Sequence, residues 1–124
     1  MKIILSIKPE FAKKIFDGSK NYEYRRRIFK NSKVTHVVVY ASSPVGKIIG
    51  EFEIDTILDE TIKKLWLLTK DSSGIDKGFF YKYFINRDKG YAIKIKNANL
   101  FDKEYDILER YGVKPPQSFL YLKE

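Results

Sequence analysis

Apolar and polar positions alternate from the first residues of the chain. Ile3, Leu5 and Ile7 alternate with Ile4 and Ser6 and predict a strand over 2–7. Pro9 suits the first turn of a helix. Phe11, Ala12, Ile15 and Phe16 then recur at helical spacing, which predicts a helix over 9–17 ended by Gly18. Residues 20–27, KNYEYRRR, return to alternation, with Tyr22 and Tyr24 on one face and Glu23, Arg25 and Arg27 on the other. THVVVYA (35–41) is β-branched and reads as a buried strand. SSPVG makes a turn, and KIIGEFEIDTIL (47–58) is a further strand.

Residues 60–69 suit an amphipathic helix carrying Leu65, Trp66 and Leu68, with Asp59 as its N-cap. DSSG ends it. Asp76 caps a second helix over 76–86, with Ile75 and Phe80 at hydrophobic-staple spacing. YAIKIKNA (91–98) alternates as a strand. An irregular segment follows, and FLYL (119–122) closes the chain behind Pro115 and Pro116, which are candidates for a cis bond.

Short strands with helices inserted between them predict an α+β fold, a small barrel or strongly curved, mostly closed sheet with helices packed outside it or plugging its ends. The 124 residues are one domain's worth, 1–124, and suffice for a core without staples. GxGxxG and the phosphate-loop motif are absent, so regular βαβ winding around a nucleotide has no support. There is no cysteine, which excludes disulfides, thiolate metal sites and a cysteine nucleophile, and fits a reducing cytoplasm. The first residues lack a signal-peptide core and no segment reaches the length of a membrane span. A cytoplasmic protein without membrane partner or cofactor is the expectation.

Charge sharpens this picture because of where it lies. The net charge is +8, and residues 1–47 alone hold eleven Lys and Arg against three Asp and Glu; the remainder holds thirteen of each. All the excess cation sits around the second strand. That favours a polyanionic partner, RNA or a nucleotide-like ligand, over an evenly basic surface.

Lys20, Glu23 and Arg25 are the central candidates. Glu23 and Arg25 share a strand face and can pair; Lys20 and Arg25 can hold a phosphate, with the guanidinium acting as a planar fork. Glu23 can orient Arg25, accept from a base amino group, or serve as a base. The bland reading is a solvated ion-pair face of little energetic weight. Arg27 adds a cation on the same face. Tyr22 and Tyr24 suit the core, with base stacking as the functional alternative. His36 is the single histidine, so a His–His acid–base pair and a multi-histidine metal cage are both excluded and no metal is assigned. Ser43, in ASSP (41–44), and Gln117, behind the proline pair, are candidates for a pocket wall or plain loop residues.

Several of these stretches together resemble the ASCH domain family of the PUA-like β-barrel superfamily. ILSIKPEFAKKIFDGSKNYEYRRR is similar to the family's opening strand, KPE helix and G-x-K-x-x-E-x-R motif, filled here by Gly18, Lys20, Glu23 and Arg25. VYASSPVGKIIGEFEI and KPPQSFLYL resemble the family's middle and closing segments. The resemblance implies a curved barrel with a cleft beside the Lys20–Arg25 strand and RNA binding; it also implies ribonuclease activity in some relatives and, in others, hydrolysis of N4-acetylcytidine by a lysine, a threonine and a glutamate. That lysine falls on Lys20 and the threonine on Glu23, which has no hydroxyl; the glutamate belongs to the inserted helical region near DSSGIDK. Binding of RNA or a nucleotide through Lys20, Glu23, Arg25, Arg27, Ser43 and Gln117 therefore suits these residues best. The alternatives are a small hydrolase, an amidohydrolase or ribonuclease with Lys20 and Glu23 as its ionisable pair, and an accessory domain whose basic face binds a protein.

Overall fold

The computed structural model describes residues 1–123. The elements run β1 (Lys2–Ile7), α1 (Pro9–Asp17), β2 (Tyr22–Arg25), β3 (His36–Ala41), β4 (Lys47–Thr61), α2 (Ile62–Thr69), a 3₁₀ turn (Lys70–Ser72), α3 (Lys77–Tyr83), β5 (Lys89–Tyr105), α4 (Ile107–Tyr111) and β6 (Phe119–Tyr121). Six strands form one sheet in the order β2-β5-β4-β3-β1-β6. β1 and β3 are parallel, with α1 in the connection between them, and every other pair is antiparallel. The fold is α+β, a curled half-barrel. The curl brings β2 and β6 toward each other, yet no ladder joins them, so the expected near-closure stops at an open seam between these two edge strands.

The opening helix follows the sequence closely. Pro9 starts it, and Gly18, at φ +86°, ends it in the left-handed conformation with its N–H donated to the Ile15 carbonyl. Asp76 caps α3 by accepting from the Phe79 N–H at 2.7 Å. β4 and β5 are longer than their alternation suggests. Residues 59–61 and 99–105 lie mostly exposed, so little hydrophobic alternation marks them, although Phe101 and Tyr105 pack with Ile48 and Ile107; three register shifts interrupt the pair. Asp59 therefore lies in β4, opposite Tyr91 and ion-paired to Lys89, and α2 begins three residues later behind Thr61. The segment expected to be irregular contains α4, a single capped turn between Asp106 and Gly112. The cis peptide is Ser43–Pro44, not one in the Pro115–Pro116 pair.

The main core joins β1, α1, β3 and β4 through residues such as Ile3, Leu5, Ile15, Val37, Val39 and Phe52. A second cluster fastens the insertion between β4 and β5 to β2: Leu65, Trp66, Phe80 and Phe84 pack with Tyr24 and Ala92. Phe80 is fully buried, with its ring 4.9 Å from Trp66, 5.0 Å from Phe84 and 5.2 Å from Tyr24. Among the described residues no helix is long and apolar enough to cross a membrane.

Truncating Phe80 removes the centre of that cluster. Phe80→Ala should lower stability by about 3–5 kcal/mol in urea unfolding, the range for an aromatic cut from a packed core. A loss below about 1 kcal/mol would show that the insertion is not anchored here.

Candidate functional site

The open seam is lined by a cleft of about 330 Å³. Its walls come from the end of β1 and the following turn (Ser6, Ile7, Lys8), from α1 (Phe11), from residues 20 and 23–26, and from α3 (Phe79, Tyr83). Ser42, Ile75 and Gln117 complete it. This volume falls within the range of small-ligand sites.

Lys20 lies before β2 and is only 2% exposed. Its backbone N–H donates to the Lys14 carbonyl and its ammonium donates to the Ser73 carbonyl at 2.9 Å. The same ammonium lies 4.7 Å from the Tyr24 ring centroid and 5.4 Å from that of Phe11. Burial lowers the Lys20 pKa from 10.5 to about 8, against the opposing pull of Glu23 and with help from Lys14. The loop above it is tied down from three sides: Lys14 donates to the Gly74 carbonyl, Lys20 to Ser73, and the Asn21 N–H to Ser72. Gly74 sits at φ +71°, and a Cβ there would lie 2.5 Å from the Lys20 Cβ. Glycine is what lets the loop close on the lysine.

Glu23 and Arg25 share a face, as alternation predicts, and pair at 3.2 Å, but the pair is largely withdrawn from solvent rather than solvated. Arg25 also donates to the Ser6 carbonyl at 3.4 Å and the Ser118 hydroxyl at 2.7 Å. It thus spans the seam from β2 to β1 and to the approach of β6. Tyr24 points to the other side, where its hydroxyl donates to Thr69 at 2.7 Å, and Thr69 in turn donates to the Leu65 carbonyl. Burial raises the Tyr24 pKa to about 12, with the hydrogen bonds to Thr69 and Ser73 acting the other way. Lys20 lies on Tyr24 because it falls outside the strand, where period-two alternation no longer fixes its direction.

The structure brings Lys20, Glu23, Arg25 and Gln117 together. Ser43 lies exposed outside this cleft, and its neighbour Ser42 lines it instead. Arg27 also lies outside; it lines a contiguous hollow of about 310 Å³ with Arg87 and Ser118. His36 is on β3, beside Thr35 and near Glu53, away from the cleft. The DSSGIDK stretch does reach Lys20, but it presents the Ser73 carbonyl rather than a carboxylate. Phe79 and Tyr83 were not foreseen. Their signal is the surplus of aromatics in α3: Phe80 fills the core, leaving Phe79 and Tyr83, four residues apart, for a second face.

A curled half-barrel whose open seam forms a basic cleft is PUA-like in architecture. The ASCH domain pattern matches residues 5–106, and the chain belongs to the ASCH domain family. The chain is 29% identical over 127 residues to the ASCH domain-containing ribonuclease of Zymomonas mobilis, covering 98% of this chain and 84% of that protein. The crystal structure of ASCH from Zymomonas mobilis superimposes with a TM-score of 0.91 at 27% identity, over 99% of this chain and 88% of the other. Over 121 residues the chain is also 30% identical to the large ribosomal subunit protein uL22 of Ureaplasma parvum; this takes in 98% of the chain but spans only 39% of that relative's length.

The buried lysine has a thermodynamic signature. The folded state releases its proton near pH 8 and the unfolded chain near 10.5, so between these values the unfolded chain binds more protons. Lys20 therefore adds stability as pH rises through this window, and its desolvation cost is carried in full below it. Lys20→Met should flatten the rise in urea stability between pH 7.5 and 9.5. Gly74→Ala should displace the loop and return the Lys20 titration, followed by NMR of the side chain, toward 10.5. A Lys20 that already titrates near 10.5 in the unaltered protein would contradict the burial.

Proposed function

We propose that this domain binds single-stranded RNA or a nucleotide in the seam cleft. The observation that carries this reading is the composition of one concave site: Lys20, Arg25 and Arg26 line it together with the aromatic residues Phe11, Phe79 and Tyr83. Cations suit phosphate or the acceptor edge of a base, and aromatic faces suit an unstacked base. Glu23 accepts from Arg25 and holds its guanidinium in place, and it adds an acceptor for a base amino group. Ser42 and Gln117 supply polar edges at the wall. The excess positive charge of residues 1–47 supports the same partner, since it draws a polyanion to this side of the sequence's own basic segment.

Affinity for single-stranded RNA should fall steeply with salt. Replacing Arg25, Arg26 and Arg27 with glutamine should reduce the slope of log affinity against log salt by about 2 if all three meet phosphate. Lys20→Ala should weaken binding while leaving the folded circular-dichroism spectrum in place. Absence of binding at low salt, or a slope indifferent to all three arginines, would refute this function.

A second reading is RNA cleavage, favoured by the Lys20 pKa of about 8 and by the relative named as a ribonuclease. The neutral amine would take the 2′-hydroxyl proton, the 2′-oxygen would bond to phosphorus, and the 5′-oxygen would leave with a proton from water, giving a 2′,3′-cyclic phosphate. Cleavage abolished by Lys20→Met would promote this reading over simple binding. N4-acetylcytidine hydrolysis by a threonine-type nucleophile has less support, because Glu23 at that position is committed to Arg25. Incubation with N4-acetylcytidine should release no acetate.

A further inference from the structure

Beside the cleft lies a second hollow of about 310 Å³. It shares Arg25, Arg26, Tyr83 and Gln117 with the cleft, so the two form one continuous depression. Beyond that shared wall stand Arg27, Arg87 and Ser118. Four guanidinium groups thus line one small concavity whose lining includes no carboxylate.

Some cations elsewhere on the surface are matched by carboxylates, Lys2 with Glu51, Lys64 with Glu60, Lys89 with Asp59 and Lys94 with Asp55. Arg25 pairs with Glu23 on the cleft side, but among the described residues no acidic side chain pairs with Arg26, Arg27 or Arg87. Like charges gathered without a counter-charge repel, and an anion placed among them removes the repulsion. Two of the four are also held in position. Arg25 is fixed by Glu23, Ser6 and Ser118, and Arg26 lies over the Tyr83 ring at 4.6 Å. Tyr83 is itself held by donating its hydroxyl proton to the Tyr24 carbonyl. A guanidinium held by stacking or hydrogen bonding loses less freedom when it grips an anion.

The geometry points to a phosphate subsite in this hollow, formed by Arg26, Arg27 and Arg87 with the Ser118 hydroxyl, next to a base-sized cleft. The ligand class is then a phosphorylated nucleotide unit of a single-stranded RNA and not a free nucleoside. This rests on the proposed function and narrows it. Arg87 comes from the loop after α3, sixty residues from Arg27, so only the fold assembles the subsite.

The probe is a mixed-sequence single-stranded RNA octamer, titrated by fluorescence anisotropy from low to moderate salt. Arg87→Gln, an exposed change outside every packed cluster, should weaken binding by roughly fivefold at low salt. It should also lower the salt slope by about 0.7, the value for one lost phosphate contact on a single strand. Arg87→Lys should keep the slope. In competition, cytidine 3′- or 5′-monophosphate should displace the octamer at lower concentration than cytidine, and that advantage should shrink in Arg87→Gln. Octamer binding with a slope unchanged by Arg87→Gln, or equal competition by cytidine, overturns the subsite while leaving RNA binding in place. Failure of the unaltered protein to bind the octamer at low salt overturns both.

Discussion

Arg25 closes what the sheet leaves open. A backbone ladder between β2 and β6 would complete the barrel, and a small closed barrel fills its interior with side chains. Here the two edges are joined instead by one guanidinium, which reaches from Glu23 on its own strand to the Ser6 carbonyl and the Ser118 hydroxyl. The seam therefore remains a cleft. It also remains polar, because a side chain that bridges two edges through hydrogen bonds brings its charge with it.

The second constraint is the burial of Lys20. An ammonium removed from water has a cost, visible in its lowered pKa, and the surroundings offset it only in part through the Ser73 carbonyl, the Tyr24 ring and the field of Glu23. The cost can persist because the loop over the lysine is over-determined by Lys14, Asn21 and Gly74. A charge held dry at the wall of a concave site interacts strongly with whatever enters. The same residue in a solvated turn would be screened and of little consequence.

Much of the fold was legible along the chain. Alternation marked β1 and the first part of β5, the strand pattern of 47–58 marked most of β4, β-branched residues marked β3, helical spacing with Pro9 and Gly18 bounded α1, and Asp76 marked the start of α3. The clustering of charge and the order of the motifs around Lys20, Glu23 and Arg25 pointed to one side of the molecule and to the family. The last three residues of β4 and the far part of β5 were not legible. Most of their side chains meet solvent, so they leave little pattern in side-chain hydropathy.

The site divides along the same line. The sequence by itself determined that Glu23 and Arg25 share a face, because period-two geometry within a strand is local. It could not determine that the pair is buried, that Lys20 turns onto the Tyr24 ring, that Ser42 and not Ser43 lines the cleft, or that Arg87 stands beside Arg27. Those facts depend on how far the sheet curls and on where the insertion between β4 and β5 folds back. The packing of Phe80 with Tyr24, Trp66 and Phe84 fixes that return, and the contact of Phe80 with Tyr24 joins residues more than fifty positions apart. Local spacing carries no record of such distances; only the tertiary structure decides them.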